Sequence, residues 1–377
     1  MTHEQPFPEL RAQVRELCAR FPDAYWRARD QAREYPQAFV DALTESRLLA
    51  ALIPAEYGGL GLSLTEAGVI MEEINRSGGH SAACHAQMYT MGAVLRHGSE
   101  VQKREYLPAI ASGELRLQAF SITEAQAGSD TKRIQTTARR EGDEYVIDGH
   151  KNWTSRIEQS DLLLLLARTS DDGLSLFLID LRAAAPEALE VTPVRTMFNY
   201  ATNQVRYRGL RVPASSLIGE EGQGFRYVID GWNAERILLA AEAIGDGYWF
   251  TERATAYANE REVFGRPIGA NQGVQFPIAH AYMQVRAADL MRYEAARRFD
   301  AQQPCGAEAN MAKLLSSEAS WAAANACLDT HGGNGFVADH DVERKFRETR
   351  LYKVAPVNNN LVTSFVATKV LGLPRSY

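Results

Sequence analysis

Apolar positions along the chain change their period twice. Phe39, Leu43, Leu48 and Leu49 recur at roughly helical intervals, as do Val69, Met71 and Ile74, which predicts helices facing a common core. Turns fall at Pro54 and in the Gly58-Gly59-Leu60-Gly61 stretch. Residues 1–115 therefore read as an N-terminal helical domain. Beyond them the period shortens. Arg139–Asp148 reads as two strands joined at Gly142-Asp143. Asp161–Ala167 and Leu174–Asp180 are apolar runs of strand length, and Gln204–Gly209 alternates. Short strands without intervening helices predict an antiparallel β-domain over 116–221. From 222 the helical period returns. Ile237, Ala241, Ile244 and Tyr248 make one stripe, and further helices are predicted over 272–301, 306–330, 340–350 and after Asn359. The last zone, 222–377, is expected to form a four-helix bundle. The fold class is α+β, in the order helical, β, helical.

Composition narrows the function. Of 377 residues, 45% are hydrophobic and 23% charged, with a net charge of −6. That is globular composition, long enough for two or three domains. The negative balance argues against nucleic acid and against a basic membrane-binding face. No apolar run approaches the ~20 residues that span a bilayer, and Met1–Pro8 has no signal-peptide pattern. A cytoplasmic protein is expected. Cys18, Cys84, Cys305 and Cys327 show no paired spacing, and the eight histidines form no ligand grouping, so neither a disulfide framework nor a metal site is expected.

Several segments carry chemistry. Ala119–Asp130 mixes small residues and hydroxyls, which suits close approach to a planar, hydrogen-bonding ligand and equally suits a plain turn. Asp148–Ser155 sets Trp153 directly before two hydroxyls. Glu235 precedes Arg236 at the start of a long helix, where it reads either as a base or as a solvated glutamate favoured by the helix dipole.

Taken in order, these motifs resemble the acyl-CoA dehydrogenase family of flavoproteins. The resemblance rests on Thr123-Glu124 with Ala127-Gly128-Ser129-Asp130, then Gly149-x-Lys151-x-Trp153. Pro54–Gly61, Val212–Phe225, Arg261-x-x-Phe264-Gly265, Gly332–Phe336 and Glu343-Arg344 add to it. It implies FAD as cofactor, with Phe120, Ile122 and Thr123 along the flavin ring, Trp153 packed on it and Ser155 near N5. Ser129 would meet the pantetheine arm, and Asn233 and Arg236 would help place substrate. Arg261, Phe264 and Gln272 would touch the FAD of a neighbouring subunit, and Gly332 and Gly333 would let backbone approach the FAD diphosphate. Asn358 and Asn360 stand where the family has Thr and Gln. Implied partners are an acyl-CoA or acyl-carrier-protein thioester, an electron-transferring flavoprotein, and further copies of the chain in a homodimer or homotetramer.

Asp329 likewise stands where a glutamine is usual and Ala125 where a proline is usual, and the resemblance also breaks at the catalytic base. The family's commonest base lies in a Tyr-Glu-Gly-Thr segment, over which Ala355-Pro356-Val357-Asn358 aligns. Proline takes no proton and offers no N–H, and a missing oxyanion donor costs about 2.7–4 kcal/mol of transition-state stabilisation. Members resembling isovaleryl- and long-chain acyl-CoA dehydrogenases carry their base immediately before the helix arginine, which points to Glu235. The expected reaction is FAD-dependent dehydrogenation of an acyl thioester to the 2,3-enoyl product. A flavin monooxygenase on the same fold, or a non-catalytic subunit of a hetero-oligomer, is the alternative.

Overall fold

The computed structural model describes residues 6–171 and 173–375. The outermost ends of the two expected helical domains, 1–5 and 376–377, lie outside the described residues. Six helices come first: α1 (Pro8–Ala19), α2 (Asp23–Ala32), α3 (Gln37–Glu45), α4 (Leu64–Arg76), α5 (Ala82–His97) and α6 (Glu100–Ser112). Strands follow: β1 (Ala119–Ser121), β2 (Thr137–Glu141), β3 (Glu144–Ser155), β4 (Leu162–Arg168), β5 (Leu174–Asp180), β6 (Leu189–Pro193), β7 (Thr202–Pro213) and β8 (Leu217–Ile218). The 37-residue α7 (Gly224–Glu260) comes next. It leads through the small hairpin β9 (Glu262–Val263) and β10 (Arg266–Pro267) into α8 (Gln272–Asp300), α9 (Gly306–His331), α10 (Val342–Thr349) and α11 (Asn359–Phe365). The expected order of helices, sheet and helices is therefore present.

Local chemistry fixes the helix ends. Ser63 accepts from the Glu66 amide while the Glu66 carboxylate accepts from the Ser63 amide, and Ser99 and Gln102 repeat this capping box on α6. Each box satisfies donors that the first turn leaves without partners. Gly113, in the left-handed region at φ 82°, closes α6.

By compactness the chain divides into two units. The first comprises Met1–Pro36, Ser63–Ser81 and Asn233–Tyr377. Within it α1 packs on α4, α4 on α8, and α9 on α8, α10 and α11. A Cβ on Gly245 of α7 would lie 2.3 Å from the Glu72 carbonyl oxygen of α4. The two helices thus meet backbone to backbone there, which only glycine allows.

The second unit comprises Gln37–Leu62 and Ala82–Trp232. Its sheet runs β6-β7-β3-β2-β4-β5-β8. Leu162–Ala167 is buried throughout because both faces are covered. Leu162, Leu164 and Leu166 join Met91, Val94, Leu107 and Ile110 of α5 and α6. Leu163, Leu165 and Ala167 join Phe177, Ile179, Val205 and Tyr207, as the two-residue period of a strand requires.

Two features depart from the expected sheet. It is mixed, not purely antiparallel: β1 pairs with β4 in parallel, and β2 meets β4 in parallel at Thr137 and Arg168. The 40 residues between β1 and β4 (122–161) allow this crossover; a hairpin does not. Nor are all strands short. β3 and β7 have 12 residues each, and register shifts at Ile147/Gly149 and Lys151/Thr154 let β3 bend.

Candidate active site

The β1–β3 corner is held rigidly from within. The Ser121 and Thr154 hydroxyl oxygens lie 2.6 Å apart, and the Tyr207 hydroxyl donates to Ser121 Oγ at 2.9 Å. The Asn152 amide donates to the Thr123 carbonyl at 2.8 Å. Lys151 Nζ, wholly buried, donates to the Ile122 carbonyl at 2.7 Å and lies 3.0 Å from Glu124 Oε1. Glu124 also accepts from the Thr136 amide (2.9 Å), the Thr136 hydroxyl (2.7 Å) and the Gln135 amide (2.7 Å). Burial pushes the Lys151 ammonium down to about 8 against the pull of Glu124. Glu124 resists the same burial through Lys151 and its Thr136 and Gln135 donors, and stays below the usual carboxylate range. Gly149 completes the arrangement: a Cβ there would fall 2.4 Å from Thr136 Oγ1.

These contacts bring together the two predicted flavin segments. Phe120, Ile122 and Thr123 are half-buried at the end of β1. On β3 the register shift between Lys151 and Thr154 coincides with a positive φ of 64° at Trp153. A bulged strand re-aims its side chains; here the indole is 57% exposed, whereas tryptophan is highly buried on average. Ser155 is half-buried, and its hydroxyl donates to Thr202 Oγ1 at 3.2 Å. Ser129 is exposed in the turn after Gly128.

In the other unit, α7 positions the candidate base. The helix begins at Gly224, so Glu235 sits about three turns inside it at 3.6 residues per turn, not at its start. The helix dipole acts within the first turn, which removes the N-terminal reading. Glu235 is also only 8% exposed, so it is no solvated surface carboxylate. Arg236 is buried beside it and donates from Nη1 to Asn233 Oδ1 at 3.3 Å. Burial lowers the Arg236 guanidinium from its usual value, with Glu235 opposing.

Lys313 of α9 is wholly buried and donates to Asn359 Oδ1 at 2.8 Å. Burial and then Arg236 push it down to about 7, against Glu318. Asn359 ties Lys313 to the segment that follows Pro356. Pro356 itself is exposed, after a cis Ala355–Pro356 bond. Asn358 caps α11 by accepting from the Leu361 amide at 3.0 Å, and Asn360 is exposed. Arg261, Phe264, Gln272, Gly332 and Gly333 are all exposed on their own unit. Phe264 is wholly so, at a positive φ of 55°. A Cβ on Gly332 or Gly333 would meet nothing within 4 Å.

Sequence reading quoted Glu124 and Lys151 without giving them a role, and it passed over Lys313. For Lys313 the usable signal was a charged residue inside the Ala-rich run of α9, which must carry its own partner if buried. Among the described residues no group of three or more His, Cys, Asp or Glu side chains could hold a metal ion, and no helix is long and apolar enough to cross a membrane. All four cysteines are buried, and none is in a disulfide.

Comparison with known proteins decides the family. The acyl-CoA dehydrogenase N-terminal domain matches residues 7–114, the middle domain 119–208 and the C-terminal domain 222–370. The acyl-CoA dehydrogenase fadE12 of Mycobacterium bovis is 33% identical over 380 residues, covering 98% of this chain and 96% of that protein. The chain belongs to the acyl-CoA dehydrogenase family. A solved glutaryl-coenzyme A dehydrogenase in complex with glutaryl-CoA is 29% identical at a TM-score of 0.92, covering 100% of this chain and 98% of the other. A structure described as the electron transferring flavoprotein of Acidaminococcus fermentans is 26% identical at a TM-score of 0.93, covering 98% and 100%.

As an acyl-CoA dehydrogenase the protein is an oxidoreductase, and the family implies a flavin. The β1–β3 corner fits such a group: an indole stands exposed where bulge geometry holds it out, beside half-buried Phe120, Ile122 and Thr123. Open space at the Gly332 and Gly333 Cα atoms likewise suits close approach of backbone to a phosphate.

Proposed function

We propose that the protein dehydrogenates an acyl-CoA thioester to its 2,3-enoyl product with FAD, and that Glu235 is the base. The burial of Glu235 inside α7, with an exposed proline at the family's commonest base position, carries this reading. Glu235 removes the α-proton, and the electron pair left behind becomes the new C2–C3 π bond as the β-hydrogen departs with its own pair. When bound, the flavin supplies the acceptor for that hydride. A carboxylate withdrawn from water is the right kind of base for a weakly acidic C–H.

The remaining roles belong to the chain. Trp153 covers one face of the flavin ring, Thr123 meets its polar edge, Ser155 stands near N5 and Ser129 meets the pantetheine arm. Asn233 and Arg236 help to place the thioester, and Asn358 and Asn360 stand beside the FAD. Arg261, Phe264 and Gln272 reach the FAD of a second copy of the chain, and Gly332 and Gly333 let backbone approach the FAD diphosphate, which accounts for the exposure of all five. Reducing equivalents pass on to an electron-transferring flavoprotein.

Anaerobic addition of acyl-CoAs to the flavin-loaded protein tests the proposal. At least one thioester bleaches the flavin band, and Glu235→Gln keeps the flavin but loses the bleaching. A Glu235→Gln variant that bleaches at the wild-type rate removes Glu235 as base. Absence of bleaching with every thioester, together with oxygen-dependent product formation, moves the protein to the monooxygenase reading.

A further inference from the structure

Lys151 is a wholly buried ammonium that donates to the backbone of the predicted flavin segment, and the reaction as described gives it no part. Its geometry has a consequence for the opposite side of the chain. A trans peptide holds its C=O and N–H in opposed directions. Because Lys151 Nζ binds the Ile122 carbonyl at 2.7 Å, the Thr123 N–H of that same peptide is aimed away from Lys151. The next peptide is fixed as well, with its Thr123 carbonyl accepting from the Asn152 amide and its Glu124 N–H donating to the Ala127 carbonyl. Glu124 in turn holds Lys151 in place, and four other donors, on Gln126, Gln135 and Thr136, hold Glu124.

We propose that Lys151 is a positioning residue for the flavin. Acting through the Ile122–Thr123 peptide, it aims and strengthens the Thr123 amide as a donor to the ring's polar edge. This rests on the reading that the flavin lies along residues 120–123. A carbonyl that accepts from an ammonium polarises its own peptide, so the N–H at the other end becomes a better donor. Reduced flavin carries more negative charge at that edge than oxidised flavin. Lys151 therefore favours flavin binding and, further, flavin reduction.

The test compares Lys151→Met, which keeps the apolar stem, with the double variant Glu124→Gln/Lys151→Met, which removes both charges. In the first, Glu124 retains its Thr136 and Gln135 donors; in the second, no unpaired buried charge remains. Three quantities are read: the melting temperature of the apoprotein, the affinity for added FAD, and the reduction potential of the bound flavin against a reference dye. The expected result is an apoprotein that still folds, flavin affinity weaker by about tenfold or more, as loss of a charge-assisted bond implies, and a more negative potential in both variants.

Folded variants that match wild-type affinity and potential overturn the proposal. So does loss of the apoprotein fold in both variants, which assigns the pair to stability alone. Wild-type apoprotein that takes up no FAD removes instead the underlying reading of the site, so the two failures are distinguishable.

Discussion

Trp153 illustrates how much a single backbone angle can decide. Residues in the left-handed region other than glycine are uncommon and cost free energy, so a bulky one there marks a constraint imposed from elsewhere. Here buried Lys151 and Thr154 on either side fix the strand, and the indole between them is left 57% exposed. Trp153→Ala therefore removes little buried surface from the apoprotein. Its melting temperature is expected to stay within about 2 °C of wild type, as for surface substitutions worth under ~0.5 kcal/mol, while FAD affinity falls. A variant that melts much earlier places Trp153 in the core; one that binds FAD unchanged removes it from the site. Residue-level chemistry was unevenly legible in the sequence. Glu235 and Pro356 stood out because each violates or fulfils a chemical requirement of the family's reaction. The Glu124–Lys151 pair did not, because sequence gives no sign that two charges 27 positions apart share one buried space.

At the level of elements, charge clamps join α1, α4 and α8. Arg11 donates to both Glu72 carboxylate oxygens at 2.9 Å and also to Glu73, while Arg292 donates to Glu72 Oε2 at 2.7 Å and to Asp289 Oδ1 at 2.5 Å. Burial alone would raise the Glu72 carboxyl, but the Arg292 and Arg11 guanidinium groups outweigh it and hold it below the usual range. A carboxyl lowered by folding contributes stability above its unfolded pKa, and that contribution is lost as pH falls through the folded value. Wild-type protein is therefore expected to lose urea resistance on acidification from pH 7, and Glu72→Gln to lose less over the same range. At pH 7 the variant is expected to be weaker by about 3–5 kcal/mol, because it leaves buried cations underpaired. Equal acid sensitivity of the two proteins contradicts the clamp. The elements themselves were largely readable: the stripe Ile237–Tyr248 is buried, and α8, α9 and the β2–β3 hairpin at Gly142 fall where periodicity and turn residues put them. The parallel pairing of β1 and the 12-residue strands were not readable, since pairing partners and bulges depend on contacts far apart in the chain.

For the whole molecule, the exposed apolar residues of the α-helical unit carry the argument. Phe264 (100%), Phe336 (73%), Leu290 (69%) and Met283 (56%) stand in solvent on the single chain. Large side chains exposed in number mark interaction surfaces, and we read them as contacts between copies of this chain that also complete the FAD site. Sedimentation at micromolar concentration is expected to give a dimer or tetramer, and Phe264→Asp and Leu290→Asp to reduce its mass and weaken FAD binding together. A wild-type monomer that binds FAD fully contradicts this. Whatever the assembly, the central claim is catalytic: the proton goes to Glu235 because Pro356 cannot take it. Anaerobic stopped-flow mixing of acyl-CoA with the wild-type and Glu235→Gln holoproteins tests it most directly. Rapid flavin bleaching in the wild type and none in Glu235→Gln, with equal FAD content, is the predicted result; equal bleaching rates in the two proteins would contradict it.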